Sequence, residues 1–383
     1  MFAPLTEDLL HVTQYELHGK MPDPFLRTDG SRLRSPEEWD EHRKTLYKTA
    51  IELQYGTMPP QPEFLEVEPL SPEGKPMRVY HVHTGTREKP VTLRLVTLLP
   101  PDAENVPVIV TGDDCWRYAR NADYLDAALK KGIGWVLFDR TELAHDVRGE
   151  GRRQGALYQT YPDRTFGAIG AWAWGYSRAV DALEQLALPI DLGWITFCGH
   201  SRGAKTAALA GALDERARIV NPNSTCAGAC GCYRIHMKGF CGADAEKRSE
   251  TLDDLLRRFD FWMGEGMAAY RDDEAALPFD AHFLKAMVAP RTLYISEAAG
   301  DLWANPVGSY ETTIAAREVY RFLGAEENLI WSFRPGYHEH TADDVAMLVN
   351  VIRCKRYGEK LNDRFFRTPF PPPEDAFDWA APK

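Results

Sequence analysis

Residues 194–205 read WITFCGHSRGAK, an apolar run that breaks into Gly199, His200, Ser201, Arg202 and Gly203 and continues as the small-residue stretch KTAALAGA at 205–212. Ile195 to Cys198 read as a buried strand and 205–212 as a helix, so the Gly-x-Ser-x-Gly pattern falls on a strand-to-helix corner. A serine there adopts a strained backbone. Glycines two residues either side are needed because a Cβ at either position would meet the neighbouring strand or helix. Ser201 is therefore the leading candidate nucleophile, and a plain strand, turn and helix with a solvated serine is the competing reading.

Upstream of this corner, 78–83 and 91–98 alternate with period two, and PVIVT at 107–111 reads as a fully buried strand ending at Gly112. From there strands and helices alternate: a helix at 122–131, a strand at 134–139, an aromatic-rich helix at about 165–186, then the corner strand itself. Downstream come a short strand at 217–221, a strand at 291–296, a helix at 309–323, a strand at 329–333 and a helix at 342–353. This alternation predicts a mostly parallel central sheet covered by helices on both faces, with ligand groups gathered at the carboxyl ends of strands. Residues 224–282 break the alternation with Gly, Cys and aromatics, and are expected to form an insertion over the site. The expected organisation is an N-terminal helical extension over 1–60, with Ser35 capping a helix at 36–54, packed on a catalytic domain at 61–360. The Pro-rich tail at 361–383 is expected to be extended, wrapping the surface or disordered.

At 383 residues, 44% hydrophobic and 11% aromatic, the chain is long enough to bury one large core. Its net charge of −11 argues against nucleic acid or an anionic membrane as partner, while leaving room for an acidic substrate in a local cationic pocket. No segment approaches the roughly 18 consecutive apolar residues of a membrane span. The opening residues MFAPLTEDLLHVTQY carry acids and no basic region ahead of an apolar stretch, so no signal peptide is visible; an intracellular protein and an exported one whose leader was removed both fit. Four of the seven cysteines cluster: Cys226, Cys230, Cys232 and Cys241. Their spacing matches no standard zinc pair, which leaves reduced buried thiols, or one or two disulfides in an exported protein.

A serine hydroxyl needs a base to take its proton and a third group to orient that base. In this topology the acid follows the strand after the corner unit, and the histidine follows the last strand. Asp301, in Gly300-Asp301 after the strand RTLYIS, and His338, after LIWSF, fill those places; Glu297 and His340 are the alternatives. Arg202, directly after the nucleophile, supplies a backbone N–H and a guanidinium to a developing oxyanion. Lys205, one turn on, projects to the same side and adds to a cationic rim suited to an acidic or hydroxyl-rich acyl group, or else both cations pair with surface acids. Trp262 and Trp303 offer flat walls suited to a sugar ring, or are simply core. His81, His83, His236 and His282 read as satisfied polar groups.

These residues resemble the glucuronoyl esterases, carbohydrate esterases that cleave esters between glucuronic acid side chains of xylan and lignin alcohols. That family carries a Gly-x-Ser-Arg-x-Gly-Lys type corner, which GHSRGAK matches at Gly199, Ser201, Arg202 and Lys205, with the second glycine shifted to Gly203. AGALDER at 210–216, Cys232-Tyr233-Arg234, LPFDAHFLKAMVAPR at 277–291, DLWANPVGSY at 301–310, GYHEHTADD at 336–344 and GAIGAWAWGYSRAVDALE at 167–184 resemble its bacterial branch. The resemblance implies an α/β-hydrolase fold and a serine carboxylesterase acting on glucuronate esters without metal or organic cofactor, expected to be monomeric. In that reading Ser201 is nucleophile, His338 base, Arg202 the oxyanion side chain, Lys205 a contact to sugar hydroxyls, and Trp303 lies against the uronic acid. Many members carry a glutamate soon after the corner helix, where this chain has Pro222, Asn223, Ser224 and Thr225; some bacterial members use an acid after the later strand, here Asp301. A cysteine that some members place beside the nucleophile is replaced by His200. The rival readings are an acetyl xylan or other carbohydrate esterase, and a non-catalytic carbohydrate-binding relative.

Overall fold

Every residue of strands β5 (Val106–Thr111) and β6 (Gly134–Phe138) is buried, as expected of parallel strands covered on both faces. The computed structural model describes residues 14–72, 74–116, 120–147, 153–240, 246–368 and 375–383. Within it these strands join β2 (Phe64–Pro69), β3 (Met77–Gly85), β4 (Pro90–Leu98), β7 (Ile190–His200), β8 (Ala217–Asn223), β11 (Thr292–Ala298) and β12 (Leu329–Arg334) in a nine-stranded sheet of order β12-β11-β8-β7-β5-β6-β4-β3-β2. From β6 to β12 the pairing is parallel; β4, β3 and β2 add an antiparallel edge beyond β6.

Period-two alternation sends successive side chains into two cores. Val108, Val110, Phe197 and Ile295 pack with Trp172, Tyr176 and Leu209 from helices Ala168–Gln185 and Arg202–Leu213. Ile109, Cys198, Tyr294 and Ile330 pack on the other face with Leu125, Leu348 and Ile352 from helices Ala122–Leu129 and Ala342–Tyr357. The sheet is therefore covered on both sides, which is the α/β-hydrolase layout. Strand β2 was not expected; its FLEVEP alternation is short and its outward positions are acidic, the pattern of an edge strand.

The helical run at 36–55 includes a π segment, Tyr47–Glu52, and Ser35 stands at its start without a side-chain capping bond. The 224–282 segment holds β9 (Ile235–Phe240), β10 (Glu246–Arg248) and a helix, Leu252–Arg258, closed by a Thr251/Asp254 capping box. Strand β9 pairs with both β10 and β1 (Gln14–Leu17), so this segment is tied to the N-terminal region in a separate small sheet. In the tail, Trp379 donates to Met21 O at 2.8 Å and packs on Phe25. Among the described residues no helix is long and apolar enough to cross a membrane. The six described cysteines are free thiols, among them buried Cys226, Cys230 and Cys232; Cys241 lies outside the described residues.

Candidate active site

Strand β7 ends at His200, and Ser201 turns the chain with φ +55° into α1 (Arg202–Leu213). That positive φ is strained for a serine and is held from outside. Ser201 N donates to Asn223 O at 3.0 Å, and His200 N donates to Asp113 Oδ2 at 2.9 Å. Asp113 is itself bound by the fully buried Arg140. A Cβ at Gly203 would run into the Asp113 carboxylate, and one at Gly199 into the backbone of Gly203, so both glycines are required by these close approaches.

Three carboxyl ends of strands then converge. His338, beyond β12, places Nε2 2.8 Å from Ser201 Oγ, and its Nδ1 lies 2.6 Å from Asp301 Oδ2, beyond β11. Asp301 is 3% exposed. Its carboxylate accepts a hydrogen bond from Nδ1–H, which leaves the Nε2 lone pair for the serine hydroxyl. The same side chain also accepts from Ala304 N at 3.4 Å, so its turn-capping and histidine-orienting positions are one.

The alternatives lie elsewhere. Glu297 accepts from Ser309 at 2.8 Å, and burial holds its carboxyl well above the usual range. His340 stacks on His200 at 5.3 Å and lies 3.3 Å from the Tyr124 hydroxyl, with burial pushing it down to about 4. The His200 ring contacts both His340 and His338, and its Nδ1 lies 2.7 Å from Asn223 Oδ1; burial first, then the two neighbouring histidines, holds it well below the usual imidazole range. A neutral ring from the end of β7 is thus held against His338 by Asn223 of the Pro222–Thr225 run. In that run Ser224, at the place of the missing glutamate, is buried with its hydroxyl unpartnered.

Arg202 is clamped. Its NH1 donates to both oxygens of Asp146 at 3.2 and 3.1 Å, and its guanidinium lies over Trp262 at 4.7 Å and Phe259 at 5.3 Å. Nε of Arg202 is left without a partner. Trp262 is 2% exposed, stacks on Phe259 at 3.9 Å and donates Nε1 to Asp146. The indole of Trp262, read from the sequence as a sugar wall or as core, packs on Phe259 beside Arg202. Lys205 is enclosed likewise. It is 2% exposed, and its ammonium is taken up by Ala227 O and by the buried Glu250, 2.8 Å away, so it stands beneath the site rather than on its rim. Glu250 N in turn donates to Trp303 O at 3.1 Å.

Trp303 does line open space. A cavity of about 430 Å³ beside His338 is bounded by Arg248, Arg258, Asp301, Trp303 and Tyr337, with the Arg258 guanidinium 5.0 Å over the Trp303 ring. A second cavity of about 610 Å³ opens over Ser201, Arg202, His200, Trp116 and Glu339. Sequence reasoning missed Asp146, Phe259, Arg248 and Arg258. Asp146 alone had a local signal, as an acid in the loop beyond β6; the others depend on how the 224–282 segment folds back.

The family model "Glucuronyl esterase, fungi" matches residues 82–324. Among curated proteins, the 4-O-methyl-glucuronoyl methylesterase of Podospora anserina is 28% identical over 356 residues, 90% of this chain and 70% of that one. Among solved structures, a carbohydrate esterase family 15 glucuronoyl esterase from Caldicellulosiruptor kristjansonii superposes with a TM-score of 0.82 at 27% identity, over 96% of this chain and 97% of that one. A glucuronoyl esterase variant from Sporotrichum thermophile in complex with methyl 4-O-methyl-β-D-glucopyranuronate has a TM-score of 0.75 at 23% identity, over 91% and 90% of the two chains.

Proposed function

The chain belongs to the glucuronyl esterase family, and from that premise we propose that Ser201, His338, Asp301 and Arg202 are the groups that carry its chemistry. It is a serine carboxylesterase that hydrolyses esters of 4-O-methyl-glucuronic acid, the activity that its relatives' names carry. The observation that supports the residue assignment best is the unbroken hydrogen-bonded line from Ser201 Oγ through His338 to Asp301, at 2.8 and 2.6 Å.

In this reading Ser201 Oγ attacks the uronoyl carbonyl carbon while His338 Nε2 takes the hydroxyl proton. Asp301 holds the ring and stabilises the imidazolium. Negative charge collects on the carbonyl oxygen, where the partly exposed guanidinium of Arg202 and the backbone N–H at the start of α1 are the donors. Collapse of the tetrahedral intermediate breaks the ester C–O bond, and the imidazolium returns its proton to the departing alcohol. Water then attacks the acyl-enzyme with His338 again as base, releasing glucuronate and restoring the serine. Trp303 supplies the flat face for the uronic acid ring in the cavity beside His338.

Parallel assays of a methyl glucuronate ester and an acetylated xylose test the acyl specificity. Hydrolysis of the glucuronate ester with a much higher kcat/KM is expected, and preference for the acetyl ester would assign the site to acetyl transfer instead.

A further inference from the structure

On the antiparallel edge of the sheet, four and five strands away from β7, lies a second chemical constellation. Glu68 of β2 stands in register with His81 of β3, and His83 follows on the same side of the pleat. Glu68 Oε2 is 3.6 Å from His81 Nδ1 and 3.2 Å from His83 Nε2, and the three donor atoms all fall within 4.8 Å of one another. Zinc-class ions bind imidazole nitrogen and carboxylate oxygen at roughly 2.0–2.2 Å, which sets neighbouring donors about 3–3.5 Å apart. The two pairs involving Glu68 already stand at or near that spacing.

The surroundings prepare the ligands as well. His83 Nδ1 lies 2.9 Å from Thr92 Oγ1 on β4. An Nδ1–H donated to that hydroxyl fixes the tautomer whose free lone pair is on Nε2, facing Glu68. Arg94, the residue opposite His81 on β4, would oppose a cation, but its guanidinium turns to Asp114, 3.4 Å away. All three ligands reach solvent, so water can fill the remaining coordination positions.

We propose that Glu68, His81 and His83 form a binding site for one divalent transition-metal ion of the zinc class. Two imidazoles and one carboxylate select zinc, nickel or copper(II) over calcium or magnesium, which take all-oxygen shells. The ion bridges β2 to β3. Among the described strands β2 is an edge of the sheet whose ladder runs to β3, so the ion adds a cross-strand link at that edge.

Calorimetric titration of the chelator-treated full chain with zinc chloride tests the site. One equivalent is expected to bind, with affinity at least about tenfold weaker in His81→Gln and in His83→Gln, and zinc should raise the Tm of the wild type but of neither variant. His236→Gln, altering a histidine of the separate small sheet, should bind as the wild type does. Equal ester hydrolysis by all the metal-free proteins shows that the variants are folded. Absence of saturable zinc binding in the wild type, or undiminished binding in both β3 variants, overturns the proposal.

Discussion

The hydrogen bond from His338 Nδ1 to Asp301 decides which imidazole nitrogen is free to take the serine proton, so a single atom change at residue 301 should be costly. Asp301→Asn keeps the volume but favours the wrong tautomer and cannot balance the imidazolium; turnover should fall at least about 10²-fold with little change in Tm. Full activity would hand the orienting role to another acid. Lys205 and Glu250 form the other decisive pair, both 2% exposed. Removing one partner strands a buried charge, so Lys205→Met should lower stability by about 3–5 kcal/mol in urea titrations, and Lys205→Met combined with Glu250→Leu should regain most of it. A Lys205→Met protein that stays stable but shows a raised KM for glucuronate esters would instead put this ammonium in contact with the sugar. The sequence could place Lys205 one turn into the helix beside the nucleophile, yet only the fold of the 224–282 segment reveals that Glu250 and Ala227 cover it.

Helix Pro306–Phe322, which follows the Asp301 turn, carries a buried carboxyl whose titration has a defined sign. Glu311 is 4% exposed, and burial pushes its carboxyl from 4.5 up to about 7. At pH values below 4.5 the group is neutral in both folded and unfolded chains and costs nothing. Between about 4.5 and 7 the unfolded chain releases a proton that the folded chain keeps, so by pH 7 the folded protein has lost on the order of 3 kcal/mol that Glu311→Gln does not lose, with little further change above. Urea midpoints of wild type and variant should therefore nearly coincide at pH 4.5 and separate by pH 8, with the variant the more stable; curves that stay parallel would contradict this account of the helix. Elements with strong period and clear punctuation were legible in the sequence to within a few residues: PVIVT became β5 and LIWSF became β12. β2 and the strands of the small sheet were not, because they are short and charged, and β1 and β9 are ordered by pairing across more than 200 residues rather than by local pattern.

For the whole molecule, the parallel order of β7, β8, β11 and β12 brings three loops to one end of the sheet, which is why chain order points to Ser201, Asp301 and His338 as neighbours. The same logic does not reach Trp262, whose indole stacks on Phe259 with the Arg202 guanidinium against both rings. Its place depends on how the 224–282 segment packs over the sheet, for which no strand order gives a rule. The central claim, ester hydrolysis through Ser201, is tested most directly by the rate of methanol release from methyl 4-O-methyl-glucuronate by the wild type and by Ser201→Ala, with circular dichroism recorded on both. The account predicts release by the wild type and a rate at least about 10³-fold lower for the variant with an unchanged spectrum; near-wild-type release by a folded Ser201→Ala protein would contradict it.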